Sequence, residues 1–304
     1  MKKVLFATTA LVATAGVAAA DVTFGGYGRF GVYYDEGAAN ETTIESRFRL
    51  VVTATAESDN GLSFGAQIRY QANEHADGYS TRTAGFNTPR FWVSTGPFTV
   101  SVGQTLGALE FMPGAYAGSI GLTGLGYHNV LYTYGGADAY SSGSSGRQGV
   151  DVLYASGNWG VHLSYSPDQT TQNTGLTDTN ERIAGYVSYT MANYTFAIGG
   201  QSSDAAGDTD AVVTAAGTWG NLEATLMYAD NGANDDAYGI GATYQVGSAT
   251  YISGYVTQNN DPAVDDTYAG IGFQHRLGGG TFLEGGVVDA AGTTKADLGL
   301  RFSF

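Results

Sequence analysis

The chain has 304 residues, a formal net charge of −15, no Cys, and 46 Gly, 21 Tyr and 14 Phe against five Pro. The lack of Cys excludes a disulfide scaffold and thiolate metal sites, and the acidic balance argues against a nucleic-acid partner, which needs a basic face. The glycine and aromatic content favours many strands and turns.

In chain order, Lys2 and Lys3 precede a mostly apolar run from Val4 to Val17 and then Ala18, Ala19 and Ala20 before Asp21. This is the pattern of a secretory leader cleaved after Ala20, which makes residues 1–20 a signal peptide and 21–304 the mature unit. Beyond it no apolar run approaches the roughly 20 residues of a membrane helix.

Segments with a period of two follow. In Val22 to Tyr34, Val22, Phe24, Phe30, Val32 and Tyr34 alternate with Thr23, Tyr27, Arg29 and Tyr33. Ile44 to Ala56 sets Ile44, Phe48, Leu50, Val52 and Ala54 against Glu45, Arg47, Arg49, Thr53 and Thr55, and Leu62 to Gln71 sets Leu62, Phe64, Ala66, Ile68 and Tyr70 against Ser63, Gln67, Arg69 and Gln71. The last segment, Ala296 to Phe304, ends on Phe302 and Phe304 in the same period. Seven tight turns, at Glu57 to Gly61, Thr95 to Pro97, Ser156 to Asn158, Met191 to Asn193, Gly220 to Asn221, Gln245 to Ser248 and Arg276 to Gly280, alternate with eight longer loops. Those loops fall near 35–41, 72–87, 105–147, 167–180, 201–210, 230–235, 258–266 and 290–295. Fifteen connections give sixteen strands, with Asn129 to Tyr134 assigned to the third loop because counting it as a strand would break the alternation of turns and loops. The prediction is an all-β, 16-stranded antiparallel transmembrane β-barrel, short-turned at one end and long-looped at the other. Closure is required because unpaired strand edges are costly in hydrocarbon.

The alternation predicts a basic arc on the wet face: Arg29, Arg47, Arg49, Arg69 and Arg90 on the first four strands. Slipping the first three strands by one residue would turn four of these arginines into lipid at roughly 2–4 kcal/mol each. The stretch Thr105 to Arg147 is long and apolar for a loop, carrying Leu106, Leu109, Phe111, Met112, Ile120, Leu122 and Leu125, so it needs a surface to pack on. Its acids are Glu110 and Asp138. Other acids gather at Asp204, Asp208 and Asp210, at Asp230, Asp235 and Asp236, and at Asp261, Asp265 and Asp266, which read first as a solvated acidic rim and, as a minor alternative, as oxygen ligands for calcium. No other cofactor is expected.

The leader, Asn60 to Gln71, the Phe98 to Thr105 strand, the oversized third loop and the terminal Phe together resemble a Gram-negative general diffusion porin of the alphaproteobacterial trimeric type. The resemblance spans essentially the whole chain. It implies residence in the bacterial outer membrane, in contact with lipid and lipopolysaccharide, as a homotrimer passing ions and small hydrophilic solutes. It also implies that the third loop folds inward, so that Glu110 faces the wall arginines across a constriction, and that Phe304, supported by Phe302, is read by the barrel-insertion machinery. Gln104 departs from the family pattern, in which a basic residue often follows the glycine.

The sequence also admits a barrel enzyme and a substrate-specific channel. A barrel enzyme would need a nucleophile beside a base, and among His75, His128, His162 and His275 only His162 shares a strand face with a serine, Ser164. A sugar- or anion-specific channel would use inward aromatics such as Tyr27, Tyr33 and Trp92.

Overall fold

The computed structural model describes residues 21–73, 83–105, 107–132, 148–167, 181–204, 208–232, 236–260 and 266–304. The predicted leader, His75, Leu106, Asp138, Asp235, Asp261 and Asp265 lie outside these residues.

The first half of the barrel comprises β1 (Asp21–Asp35), β2 (Thr42–Glu57), β3 (Ser63–Asn73), β4 (Thr83–Phe86), β5 (Arg90–Thr95), β6 (Phe98–Gly103), β7 (Gly149–Ser156) and β8 (Trp159–Ser166). The second half comprises β9 (Arg182–Met191), β10 (Tyr194–Ser203), β11 (Asp208–Trp219), β12 (Leu222–Asp230), β13 (Asp236–Val246), β14 (Thr250–Asn259), β15 (Asp266–Gly278), β16 (Thr281–Ala290) and β17 (Thr293–Ser303). Each strand pairs antiparallel with its sequence neighbours, except that β4 and β5 both pair with β3 and share one position. The result is the predicted sixteen-position ring.

The break between β4 and β5 has a chemical cause. Pro89 has no N–H for a ladder, and Asn87 fills the gap: its N–H donates to the Arg69 carbonyl at 2.9 Å while its Oδ1 accepts the Arg69 N–H at 2.6 Å. The strand therefore resumes earlier than expected, at Thr83 rather than after residue 87. The predicted loop at 290–295 is likewise shorter, because Ala291 and Gly292, with φ of 57° and 77°, make a two-residue turn.

Closure comes from β1 against β17, in register from Tyr27 opposite Ser303 to Asp35 opposite Lys295. The ladder runs to the last residue: the Gly26 N–H donates to the Phe304 carbonyl at 3.0 Å, and the Phe304 N–H donates to the Gly26 carbonyl at 3.2 Å. Phe304 stacks on Phe48 of β2, ring centroids 5.7 Å apart.

Burial separates the two parities. Phe24, Phe30, Phe48, Leu226 and Phe304 are exposed on the outer face, while Arg29, Glu45, Gln71, Asp151, His162, Thr225 and Asp297 are buried on the inner one. This inverts a water-soluble protein, as a barrel greasy outside and polar inside requires. No helix among the described residues is long and apolar enough to cross a membrane.

Candidate functional site

Residues 107–132 of the long connection after β6 leave the wall and lie along its inward-facing side chains. Their 3₁₀ turn (Leu109–Phe111) starts just after the Ala108 N–H donates to Ser164 Oγ of β8 at 2.9 Å. Thr214 of β11 donates to the Pro113 carbonyl at 2.6 Å, and a Cβ on Gly241 of β13 would stand 2.3 Å from the Ala117 oxygen. Gly272 of β15 lies against Ile120, and Gly299 of β17 against Leu122. The return leg is held by Thr257 of β14, donating to the His128 carbonyl at 2.8 Å, and by Asn231, donating to the Leu131 carbonyl at 2.8 Å.

Apolar packing explains why the segment stays there. Leu109, Met112, Ala115, Leu131 and Tyr132 form one buried cluster with Ala197, Val212, Met227, Ala229 and Ala237 of the wall. Ile120 and Leu125 form a second with Tyr33, Tyr255, Val288 and Ala290. Burial of side chains of this size contributes roughly 1.5–3 kcal/mol each. The loop backbone comes closest to the wall where the inward residue is small, at Thr214, Gly241, Gly272 and Gly299.

The far end of the loop is fixed by charge. Asp297 of β17 accepts the N–H of Leu122 at 2.9 Å, the N–H of Thr123 at 2.7 Å and the Thr123 hydroxyl at 2.7 Å. Beside it Arg29 of β1 donates from Nη1 to the Leu122 carbonyl at 2.9 Å and from Nε to Glu45 of β2 at 2.8 Å. Arg29 is 5% exposed, so it departs from the expected arc: paired with Glu45 and covered by the loop, it braces the wall instead of lining the passage.

The other four arginines lie on β2, β3 and β5, in the smaller part of the wall that these loop contacts leave open. Arg47 donates to Asn73 Oδ1 at 2.6 Å and Arg49 to Gln71 Oε1 at 2.6 Å, both half-buried. Arg49 lies over the Tyr27 ring, 5.1 Å from its centroid, and Arg90 over Trp92 at 5.4 Å. Arg90 also donates to Ser101 Oγ at 2.9 Å, and Arg69 is half-buried on the inward parity of β3. The planar guanidinium suits such stacked and hydrogen-bonded settings. Glu110, half-buried, sits in the 3₁₀ turn beside β9 and β10, across the ring from β2 and β3. Gln104 is buried and accepts from Asn87 Nδ2, a structural partner where the family pattern often has a base.

The enzyme reading finds no support in this geometry. Ser164 accepts from the Ala108 N–H, and both His162 ring nitrogens lack a hydrogen-bond partner. The His162 ring lies edge-on to Tyr186, centroids 5.7 Å apart. Among the described residues no group of three or more His, Asp or Glu is placed to hold a metal ion.

Comparison with known proteins decides the family, since a profile of Gram-negative porins matches residues 7–295. The chain belongs to the Gram-negative porin family. It is 31% identical over 277 residues to a porin of Fuscovulum blasticum, covering 78% of this chain and 94% of that one. A porin of Rhodobacter capsulatus is 26% identical over 320 residues, covering 93% and 100%. Among solved structures, a triple mutant of Rhodopseudomonas blastica porin superposes with a TM-score of 0.77 at 28% identity, covering 93% of this chain and all of that one. This porin is an outer-membrane diffusion channel and not an enzyme.

Sequence reasoning missed Asp297, which accepts three hydrogen bonds from the loop. The signal available was a lone acid on the inward face of the last strand, and nothing in the sequence relates it to Thr123. Glycine content alone points to turns and strands, whereas Gly241, Gly272 and Gly299 recur on the inward parity against the loop.

Proposed function

We propose that the channel is narrowed between the long loop and the arginines of β2, β3 and β5, and that this narrowing filters ions and small hydrophilic solutes by size and charge. The supporting observation is the placement of residues 107–132 along the wall from β8 around to β1, with Arg29 and Asp297 gripping Leu122 and Thr123. Arg47, Arg49, Arg69 and Arg90 then form the basic side of the passage, and Glu110 is the acidic pole. A local field of this kind sets ion preference more strongly than net charge does.

Reversal potentials under a salt gradient test this reading. Neutralising Arg47 and Arg49 together shifts selectivity toward cations, and an unchanged potential would mean that these residues do not border the passage. The rings under Arg49 and Arg90 favour a second reading, a channel with affinity for a sugar or an organic anion. Conductance that saturates with one such solute would select it.

The same reading includes cleavage of the leader after Ala20, a homotrimeric assembly, contact of the acidic loops with lipopolysaccharide through divalent cations such as calcium, and recognition of Phe304 with Phe302 by the insertion machinery. Support for the last is the exposure of both rings on the outer face, at 40% and 52%.

A further inference from the structure

Between residues 119–121 of the loop and the tight-turn end of the barrel, a cleft of about 210 Å³ opens against β13 to β16. Its walls carry Arg276, Glu284, Gln274, Tyr251, Thr243 and Ser253. The Arg276 guanidinium lies over the Tyr251 ring, 4.8 Å from its centroid, and no carboxylate of the described residues forms an ion pair with it. Glu284, 5% exposed, is served on one side alone: Oε1 accepts from Gln274 Nε2 at 2.7 Å and from Arg301 Nη2 and Nε at 2.7 and 3.1 Å. No donor of the described residues reaches Oε2, although an ionised carboxylate accepts on both oxygens. Thr243 and Ser253 add a hydroxyl pair, 2.8 Å apart.

A fixed cation and an unserved carboxylate oxygen thus share one small polar cleft. An anion would satisfy Arg276 alone, and a cation Glu284 alone. A zwitterion satisfies both, and the volume admits a solute the size of a single amino acid. We propose that this cleft is a subsite for free α-amino acids, the carboxylate on Arg276 and the ammonium on Glu284 Oε2. The proposal rests on the channel reading, because the solute reaches the cleft from the lumen. Gln274 and Arg301 hold Glu284 in place through Oε1, and the exposed Arg276 guanidinium rests on the Tyr251 ring, so both partners face the cleft before the solute arrives.

Planar-bilayer recordings with L-glutamine on the tight-turn side test it, beside 4-carbamoylbutanoate, which lacks the ammonium, and 4-aminobutanamide, which lacks the carboxylate. L-glutamine is expected to interrupt the current reversibly. Each single-charge analogue should bind about tenfold more weakly, and Arg276→Gln and Glu284→Gln should each weaken L-glutamine by a similar factor. Equal block by 4-carbamoylbutanoate would overturn the proposal in favour of a plain anion site, and a conducting wild-type channel without block would also overturn it. Calorimetry with L-glutamine on detergent-solubilised protein reads the same site without conduction, so a failed channel reading and a failed subsite are told apart. Unaltered open-channel current in Arg276→Gln shows that the barrel has folded.

Discussion

Thr123 and Asp297 lie 174 positions apart in the chain, and the Thr123 hydroxyl donates to the Asp297 carboxylate at 2.7 Å. With the two backbone N–H groups on the same carboxylate, this contact ties the long loop to the strand that closes the barrel. A carboxylate accepting several buried donors is expensive to remove, because the donors are left without partners. Asp297→Ala should cost roughly 2–5 kcal/mol of loop attachment. The expected result is a larger, noisier single-channel current with barrel melting little changed, and a quiet channel of wild-type conductance would count against the anchor.

Gly241 makes the same test from a different strand. A methyl group there would stand 2.3 Å from the Ala117 carbonyl oxygen, a contact that backbone atoms cannot relieve without moving. Gly241→Ala is expected to lift the middle of the loop while leaving the β13 ladder intact. Faster protease cleavage within residues 107–132, at unchanged heat resistance of the barrel, is the measurement.

His128 gives the loop a pH dependence. Its ring stacks on Tyr268, centroids 4.5 Å apart, and burial, with Lys295 nearby as a second cause, lowers its pKa to about 4 from the ordinary 6.5. A detached loop would take up the proton near 6.5, whereas the packed loop resists until about 4. Attachment is therefore fully present above pH 6.5 and weakens progressively as the pH falls toward 4. Current noise should rise across that window, and His128→Phe, which keeps the stack and cannot titrate, should flatten the profile.

Phe304 carries a prediction about closure. Phe304→Ala keeps the two backbone bonds to Gly26 and removes the stack on Phe48. An aromatic pair contributes about 0.5–1.5 kcal/mol beyond burial of its area. Folded barrel should melt a few degrees lower by the heat-induced shift in gel mobility, and Phe48→Ala should lower it similarly. Additive losses in the double variant would show that the two rings do not act together.

Strand number, register and polarity were legible in the sequence because each is a local property. A period of two says which side chains share a face, and the penalty for placing Arg47, Arg49 or Arg69 in lipid fixes the register. Turn chemistry placed seven tight connections, all of which the ladders bear out. The length and apolar content of residues 105–147 announced a segment that had to pack on something. What only the tertiary structure decided is which inward side chains serve the passage and which serve the loop. Arg29 and Arg47 share a wet face and a residue type, and they face each other across the β1–β2 ladder. Arg29 is buried against Glu45 and Leu122, whereas Arg47 remains half-exposed beside Asn73. That division depends on contacts between residues far apart in the chain, and alternation along one strand carries no information about what lies across the lumen.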